Sequence, residues 1–185
     1  MKVTGIVGSP RAAGVTTALV EKALQGARET GAETVLFNIQ EAGIGGCMAC
    51  YTCKDTGVCR QDDGMSQIYD ALRSSSAVVI GTPVYMFTVT GQTKTFIDRL
   101  FPFLKPDFTS RLGSLPTLMI YTQGAPKPDA FAVAFDSIEK ALSMLGLDTR
   151  RRMVAAGMSG EDLEGQGSLA GEALAAGRDL VSNSC

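Results

Sequence analysis

Short β-prone runs alternate along this chain with longer segments of helical periodicity, and that alternation most restricts how it can fold. Strands are expected at Val3–Val7, Thr34–Ile39, Ala77–Ile80, Thr117–Tyr121 and Arg151–Ala156. Helices are expected at Thr16–Thr30, at Thr93–Leu104, at Phe131–Leu145, at Leu169–Val181, and behind an Asp63 cap with Met65, Ile68 and Leu72 on one face. Strands that alternate with helices pair in parallel through right-handed crossovers, and helices then cover both faces. The third run, AVVI, is continuously apolar, as a strand covered on both sides should be. The expectation is one doubly wound α/β domain over residues 1–185, a five-stranded parallel sheet in the order 2-1-3-4-5. Ligands of such sheets bind outside the carboxyl ends of the strands.

Composition removes several function classes. The chain has 185 residues, enough for one substantial core. Seventeen basic against nineteen acidic side chains give a net charge of −2, which argues against nucleic acid or a charged membrane as main partner. No apolar run is long enough for a membrane span, and the N-terminal apolar stretch is too short for a signal peptide. A reducing cytoplasm is the expected compartment. There is no histidine, so histidine triads, histidine–zinc sites and Rieske ligation are excluded. There is no tryptophan, so a bound ring must stack on Tyr, Phe, Met or backbone.

The stretch from Ile39 to Asp63 has no clear periodicity, and long aperiodic connections in compact domains are usually functional. It forms a cysteine-rich loop at 40–62 that contains CMACYTCKDTGVC, with Cys47, Cys50, Cys53 and Cys59 in the spacing C-x-x-C-x-x-C-x5-C. Triplets spaced by two suit an iron–sulfur cubane, three corners of which are ligated from one tight loop. Zinc more often takes two separated C-x-x-C pairs. Zinc, disulfides and empty thiols are the alternatives to a cluster at this point.

Three other loops look built for a cofactor. The first strand runs into GSPRAAGVTT, residues 8–17. Hydroxyls of Ser9, Thr16 and Thr17, the Arg11 guanidinium and a helix N-terminus together make an anion nest suited to phosphate. It is neither a Walker loop nor G-x-G-x-x-G. The third strand runs into GTPVYMFTVTGQTKTFIDR, where Pro83, Val84, Tyr85 and Met86 offer an apolar, aromatic tip for a flat ring or another subunit. The fourth strand ends in YTQGAP, where Thr122, Gln123 and Gly124 can bond a ring edge.

On GSPRAAGVTT, GTPVYMFTVTGQTKTFIDR and the compact CMACYTCKDTGVC between them, the chain resembles the NAD(P)H-dependent FMN reductase group of flavodoxin-like proteins, and within it the iron–sulfur flavoproteins. The resemblance covers most of residues 1–125 and fades beyond Pro126. It implies a flavodoxin-like fold with FMN. Ser9, Arg11, Val15 through its backbone, Thr16 and Thr17 would hold the phosphate. Pro83, Val84, Tyr85 and Met86 would line the isoalloxazine and ribityl chain, with Thr122, Gln123 and Gly124 on the other flank. Cys47, Cys50, Cys53 and Cys59 would ligate a 4Fe–4S cluster. Val15 departs from the group, whose members often carry Asn or Ser there. The resemblance also implies a homodimer or homotetramer with flavin at a subunit interface.

The expected function is electron transfer between FMN and a 4Fe–4S cluster, with NAD(P)H or ferredoxin as donor and a quinone, an oxygen species or another carrier as acceptor. A plain NAD(P)H-dependent FMN or quinone reductase with empty thiols is the second reading, and a non-enzymatic flavin-binding redox sensor the third. No catalytic side chain is assigned. Cys185 reads as a free terminal thiol, Arg150, Arg151 and Arg152 as a solvated basic turn, Asp63 as a helix cap, and Asp98 and Arg99 as an intersubunit or flavin contact or a surface ion pair.

Overall fold

Alternate residues of the central strands enter opposite layers, as the period of two requires. The computed structural model describes residues 1–158 and 167–182. Its strands are β1 (Lys2–Val7), β2 (Glu33–Asn38), β3 (Ala77–Tyr85), β4 (Thr88–Val89), β5 (Leu115–Thr122) and β6 (Leu147–Ala155). Its helices are α1 (Val15–Glu29), α2 (Cys53–Thr56), α3 (Met65–Arg73), α4 (Gly91–Arg99), α5 (Ala132–Met144) and α6 (Gly167–Ser182). The sheet runs β2-β1-β3-β5-β6 with every pair on that path parallel, and β4 folds back on β3 as a short antiparallel hairpin. With the hairpin set aside, this is the expected 2-1-3-4-5 order.

Val78 and Ile80 of β3 and Met119 and Tyr121 of β5 join one core with Ile68, Phe96 and Phe135. Ala77 and Val79, Leu118 and Ile120 face the opposite core with Leu19, Val20 and Ala173. Helices α1 and α6 cover that second face at very close range. A Cβ on Gly26 would lie 2.0 Å from the Leu174 carbonyl oxygen, and one on Gly177 would lie 1.8 Å from that of Ala23. Only hydrogen at those two positions lets the backbones touch.

Several boundaries differ from the sequence expectation. Strand β3 continues past Ile80 because Gly81, Thr82 and Pro83 still pair with β5, and Val84 and Tyr85 pair with β4. Strand β6 begins at Leu147, paired with Leu115 across an irregular register near Thr117. Helix α4 starts early, at Gly91, because the Thr90 hydroxyl caps it by accepting the Thr93 N–H at 3.1 Å. It ends at Arg99, and the chain continues as a 3-10 turn over Phe101–Phe103 that contains Pro102, which has no N–H to extend a helix. The short helix α2 inside the cysteine loop has no counterpart in the expectation. Among the described residues no helix is long and apolar enough to cross a membrane.

Candidate functional site

Helix α1 opens without protection. Gly14 is its N-cap, no side chain caps it, and its first turn holds no acidic residue. The first N–H groups of a 15-residue helix therefore have no intrahelical acceptor and sit at the positive end of its dipole. Ser9 and Thr16 are buried beside them. The Ser9 hydroxyl accepts the Arg11 N–H at 3.1 Å, and the Thr16 and Thr122 hydroxyls meet at 2.7 Å across β5.

A cavity opens at this point, at the carboxyl ends of β1, β3 and β5. Ser9, Arg11, Val15 and Thr16 line it from the first loop, and Pro83, Val84 and Tyr85 from the hairpin. Thr122, Gln123 and Gly124 close it from β5. Two expected residues do not line it. The Thr17 hydroxyl turns to the Arg11 carbonyl at 3.3 Å. Met86 sits at the hairpin tip, 89% exposed. Gly14 of the first loop also lines the cavity, as does Met158, which was not expected from the sequence. Met158 arrives after β6, beyond any loop motif, and is held by its N–H to the Gln123 carbonyl at 2.9 Å.

Gln123 is almost wholly buried. Its Nε2 donates to the carbonyls of Ala125 and Lys127 at 3.1 and 2.7 Å, while its Oε1 is buried with no hydrogen-bond partner. A buried unpaired acceptor is costly, so a residue lining a cavity with one free fits a ligand that brings an N–H. The uncapped helix end fits a phosphate, and the apolar Pro83–Tyr85 edge fits a ring. The residues present therefore suit a phosphorylated ring cofactor.

Buried hydroxyls tie the first loop to the hairpin. The Thr90 hydroxyl donates to the Gly8 carbonyl at 2.6 Å, contacts the Thr93 hydroxyl at 2.9 Å, and Thr93 donates to Thr82 at 2.8 Å. The hairpin turn itself is Met86–Phe87, both left-handed with φ of 45° and 71°. That geometry matches strand twist but is usually taken by Asn or Gly. The Phe87 ring packs edge-on against Phe131 at 5.7 Å.

The four cysteines of the loop after β2 line a second cavity together with Arg99 and Phe101. Cys47 and Cys50 are exposed, Cys59 is intermediate and Cys53 is buried, and all four are free thiols. Ala49 and Tyr51 adopt left-handed backbone to bring the chain round, and the Tyr51 ring packs edge-on against Phe101 at 5.8 Å. The thiols are not equivalent. Hydrogen bonds from the Thr52 N–H and hydroxyl draw the Cys50 thiol below its ordinary value. Burial, then the neighbouring Cys59, pushes the Cys53 thiol up. Among the described residues no three Cys, Asp or Glu side chains stand ready-grouped around a metal position. The chemistry of the donor set still suits a thiolate-ligated centre, because four soft ligands share one cavity.

Asp63 is more than a cap. Its Oδ1 does accept the Met65 N–H at 3.0 Å, but the carboxylate also takes the Gly45 N–H at 3.1 Å and a two-pronged ion pair from Arg99 at 2.6 and 3.0 Å. Burial alone would raise its pKa; the Arg99, Gly45 and Met65 hydrogen bonds outweigh that and hold the carboxyl below the usual range. Arg99, expected in a surface ion pair or at an intersubunit or flavin contact, is 1% exposed. Asp98 does pair on the surface, with Lys94 at 2.7 Å. Arg150, Arg151 and Arg152 are each engaged by carboxylates, Asp148, Glu172 and Asp179, and Asp136 and Glu139 respectively. Cys185 lies outside the described residues.

Fold and cavity define a doubly wound flavodoxin-like protein with a cofactor cradle at its topological switch point. Residues 1–134 match the family of NADPH-dependent FMN reductases, and the chain belongs to that family. It is 34% identical over 142 residues to an iron–sulfur flavoprotein of Archaeoglobus fulgidus, a match that covers 76% of this chain and 63% of that one. It is 44% identical over 100 residues to an iron–sulfur flavoprotein of Methanocaldococcus jannaschii, covering 54% of this chain and 50% of the other. The matched stretch thus spans less than two thirds of the length of these relatives. Among solved structures, a flavone reductase superposes on all of this chain and 63% of its own with a TM-score of 0.76 at 18% identity. The NAD(P)H:quinone oxidoreductase of Methanothermobacter marburgensis superposes on 97% of this chain and 96% of its own with a TM-score of 0.74 at 13% identity. These structural likenesses establish the fold.

Proposed function

We propose that this chain is an oxidoreductase that binds FMN in the β1–β3–β5 cavity and a 4Fe–4S cluster on Cys47, Cys50, Cys53 and Cys59, and moves electrons between them. The observation that carries the reading is the pairing of a cradle with free donors and a free acceptor, the open start of α1 and Gln123 Oε1, with a cavity walled by four thiols on the next loop of the sheet. Ser9, Arg11 and Thr16 with the Val15 N–H hold the phosphate, and Thr17 braces that loop through its bond to the Arg11 carbonyl. Pro83, Val84 and Tyr85 bound the ring and ribityl chain from the hairpin, with Met86 outside the cavity at its tip, and Thr122, Gln123 and Gly124 bound them from β5. FMN exchanges electrons in pairs or singly and a 4Fe–4S cluster singly, so together they join pair and single-electron traffic. The chain's own part is to fix both groups and exclude water from the ring. NAD(P)H or ferredoxin is the donor, and a quinone, an oxygen species or another carrier the acceptor. Exposed Tyr85, Met86 and Phe87 suit a subunit contact in a homodimer or homotetramer. Free thiols suit a reducing cytoplasm.

One observation favours a second reading, an FMN or quinone reductase with empty thiols: the described cysteines are not grouped around a metal position. Anaerobic purification with iron, acid-labile sulfide and flavin analysis separates the two. The first reading expects about four irons and one FMN per chain, with a 4Fe–4S signal in the dithionite-reduced protein. Flavin without iron after cluster reconstitution leaves only the reductase. Absence of FMN binding refutes both.

A further inference from the structure

Arg99 is the bulkiest fully buried side chain in the fold, at 1% exposure. A cation so placed must be paired. Its Nη1 donates to the Gly45 carbonyl at 2.8 Å and to Asp63 Oδ2 at 2.6 Å, and its Nη2 to Asp63 Oδ1 at 3.0 Å. Gly45 and Asp63 stand on either side of the cysteine run, and Asp63 also takes the Gly45 N–H at 3.1 Å. One guanidinium therefore closes the base of the whole loop. The Arg99 carbonyl, in turn, accepts the Tyr69 hydroxyl at 2.5 Å, which fixes the arginine backbone from α3.

A brace of this kind needs no contact with sulfur, yet Arg99 makes one. Nη2 also reaches Cys59 Sγ at 3.7 Å, Nε is buried without an acceptor, and the residue forms part of the wall of the thiol cavity. A planar fork can hold Asp63 and face a sulfur at once, whereas an ammonium cannot repeat that geometry.

We propose that Arg99 is a positioning residue for the iron–sulfur centre: it holds Cys59 by an N–H···S contact and fixes a cation beside one ligand, which raises the reduction potential of the cluster. The inference rests on the cluster reading above. A reduced cluster carries one more negative charge than an oxidised one, so a donor and a positive charge at a ligand sulfur favour the reduced form. The Arg99–Asp63 pair is neutral overall, and the effect comes from which member lies next to the sulfur.

The test uses the reconstituted full chain with FMN bound, as the unchanged protein, Arg99→Lys, and the double variant Arg99→Gln with Asp63→Asn. The double variant strands no buried charge and keeps the net charge constant. Iron and sulfide are measured first, then cluster midpoint potentials by dithionite titration followed by electron paramagnetic resonance. The double variant is expected to move to a more negative potential by about 59 mV or more, a tenfold change in the oxidised-to-reduced ratio of a one-electron couple. Arg99→Lys is expected to move the same way by less. A double variant that folds and binds FMN but loses iron supports the positioning half, and Arg99→Lys then decides the potential. Iron-replete variants with unchanged potentials overturn the role of Arg99 and leave the cluster reading intact. No iron or sulfide in the unchanged protein overturns the cluster reading itself.

Discussion

Gly8 follows β1 and precedes Ser9, which lines the first cavity, and Gly8→Ala tests whether the buried threonines hold that loop in place. The added Cβ would lie 1.8 Å from Thr93 Oγ1 and 3.0 Å from Thr93 Cβ. Rotating Thr93 frees the first contact but not the second. It also breaks the hydrogen bond that the Thr93 hydroxyl donates to Thr82 at 2.8 Å. That lost hydrogen bond costs about 1 kcal/mol. Residual overpacking adds about 1–3 kcal/mol. The variant is expected to lose about 2–4 kcal/mol of stability in urea unfolding followed by circular dichroism. The alternative to rotation is a shift of the loop, which carries Ser9 and the start of α1 away from the proposed phosphate position. FMN affinity, followed by quenching of flavin fluorescence, should then fall at least about tenfold, or about 1.4 kcal/mol. Gly91→Ala is the control, since a Cβ there has nothing within 4 Å. Removing the offending hydroxyl with Thr93→Ala in the Gly8→Ala background should restore part of both losses. A Gly8→Ala protein with unchanged urea midpoint and unchanged FMN affinity refutes the argument.

Gly177→Ala sets two effects against each other: alanine gains about 1 kcal/mol of helix propensity, but its Cβ meets the backbone of Ala23 at 1.8 Å, which cannot rotate aside. The contact should win, with a net loss of about 2 kcal/mol in urea unfolding, and a raised midpoint would contradict it. Asp63 predicts an acid dependence. Its folded pKa is lowered, so its contribution is complete above the unfolded value near ~3.9 and is lost as pH falls through the folded value below that. Urea midpoints of the unchanged protein and Asp63→Asn should differ most above about pH 4 and converge below it. A gap that stays constant down to the acid end would show that the carboxylate is not what closes the loop.

Local periodicity made most of the sheet legible. Runs such as AVVI and TLMIY declare buried strands because every residue is apolar or β-branched and both faces are covered. The hairpin was not legible, because its left-handed turn is Met86–Phe87 and lacks the Asn-Gly signal by which such turns are found. The helix expected to reach Leu104 overran because Phe101 and Leu104 continue an apolar stripe, although Pro102 marked the stop. The cradle was legible as residue types after strands, since strand order alone brings those loops to one edge. What could not be read were the long-range polar contacts. Thr90 meets Gly8 across 82 positions and Arg99 meets Cys59 across 40, and no local pattern encodes either. Asp63 shows the limit most clearly: its capping role follows from sequence, while its larger role needs a partner 36 residues away.

Helix α4 joins the two cavities mechanically. Its first turn is bound to Thr82 of β3 through Thr93 and, through the Thr90 cap, to Gly8 at the start of the first loop. Its last residue, Arg99, closes the cysteine loop. Gln92 adds a third tie, donating to the Gln40 side chain at the start of that loop at 2.9 Å. Thr93 and Arg99 are six positions apart, about 9 Å along a helix axis. Both loops are thus referenced to one short rigid element rather than to each other through flexible chain. A substitution that shifts the start of α4 is expected to move Arg99, because Gly91–Arg99 contains no proline, the usual cause of a sharp kink. Disturbance of the phosphate loop is therefore expected to reach the thiol cavity. That gives Gly8→Ala a second use: a change in Cys59 alkylation rate in that variant, far from the substituted atom, would report the coupling through α4.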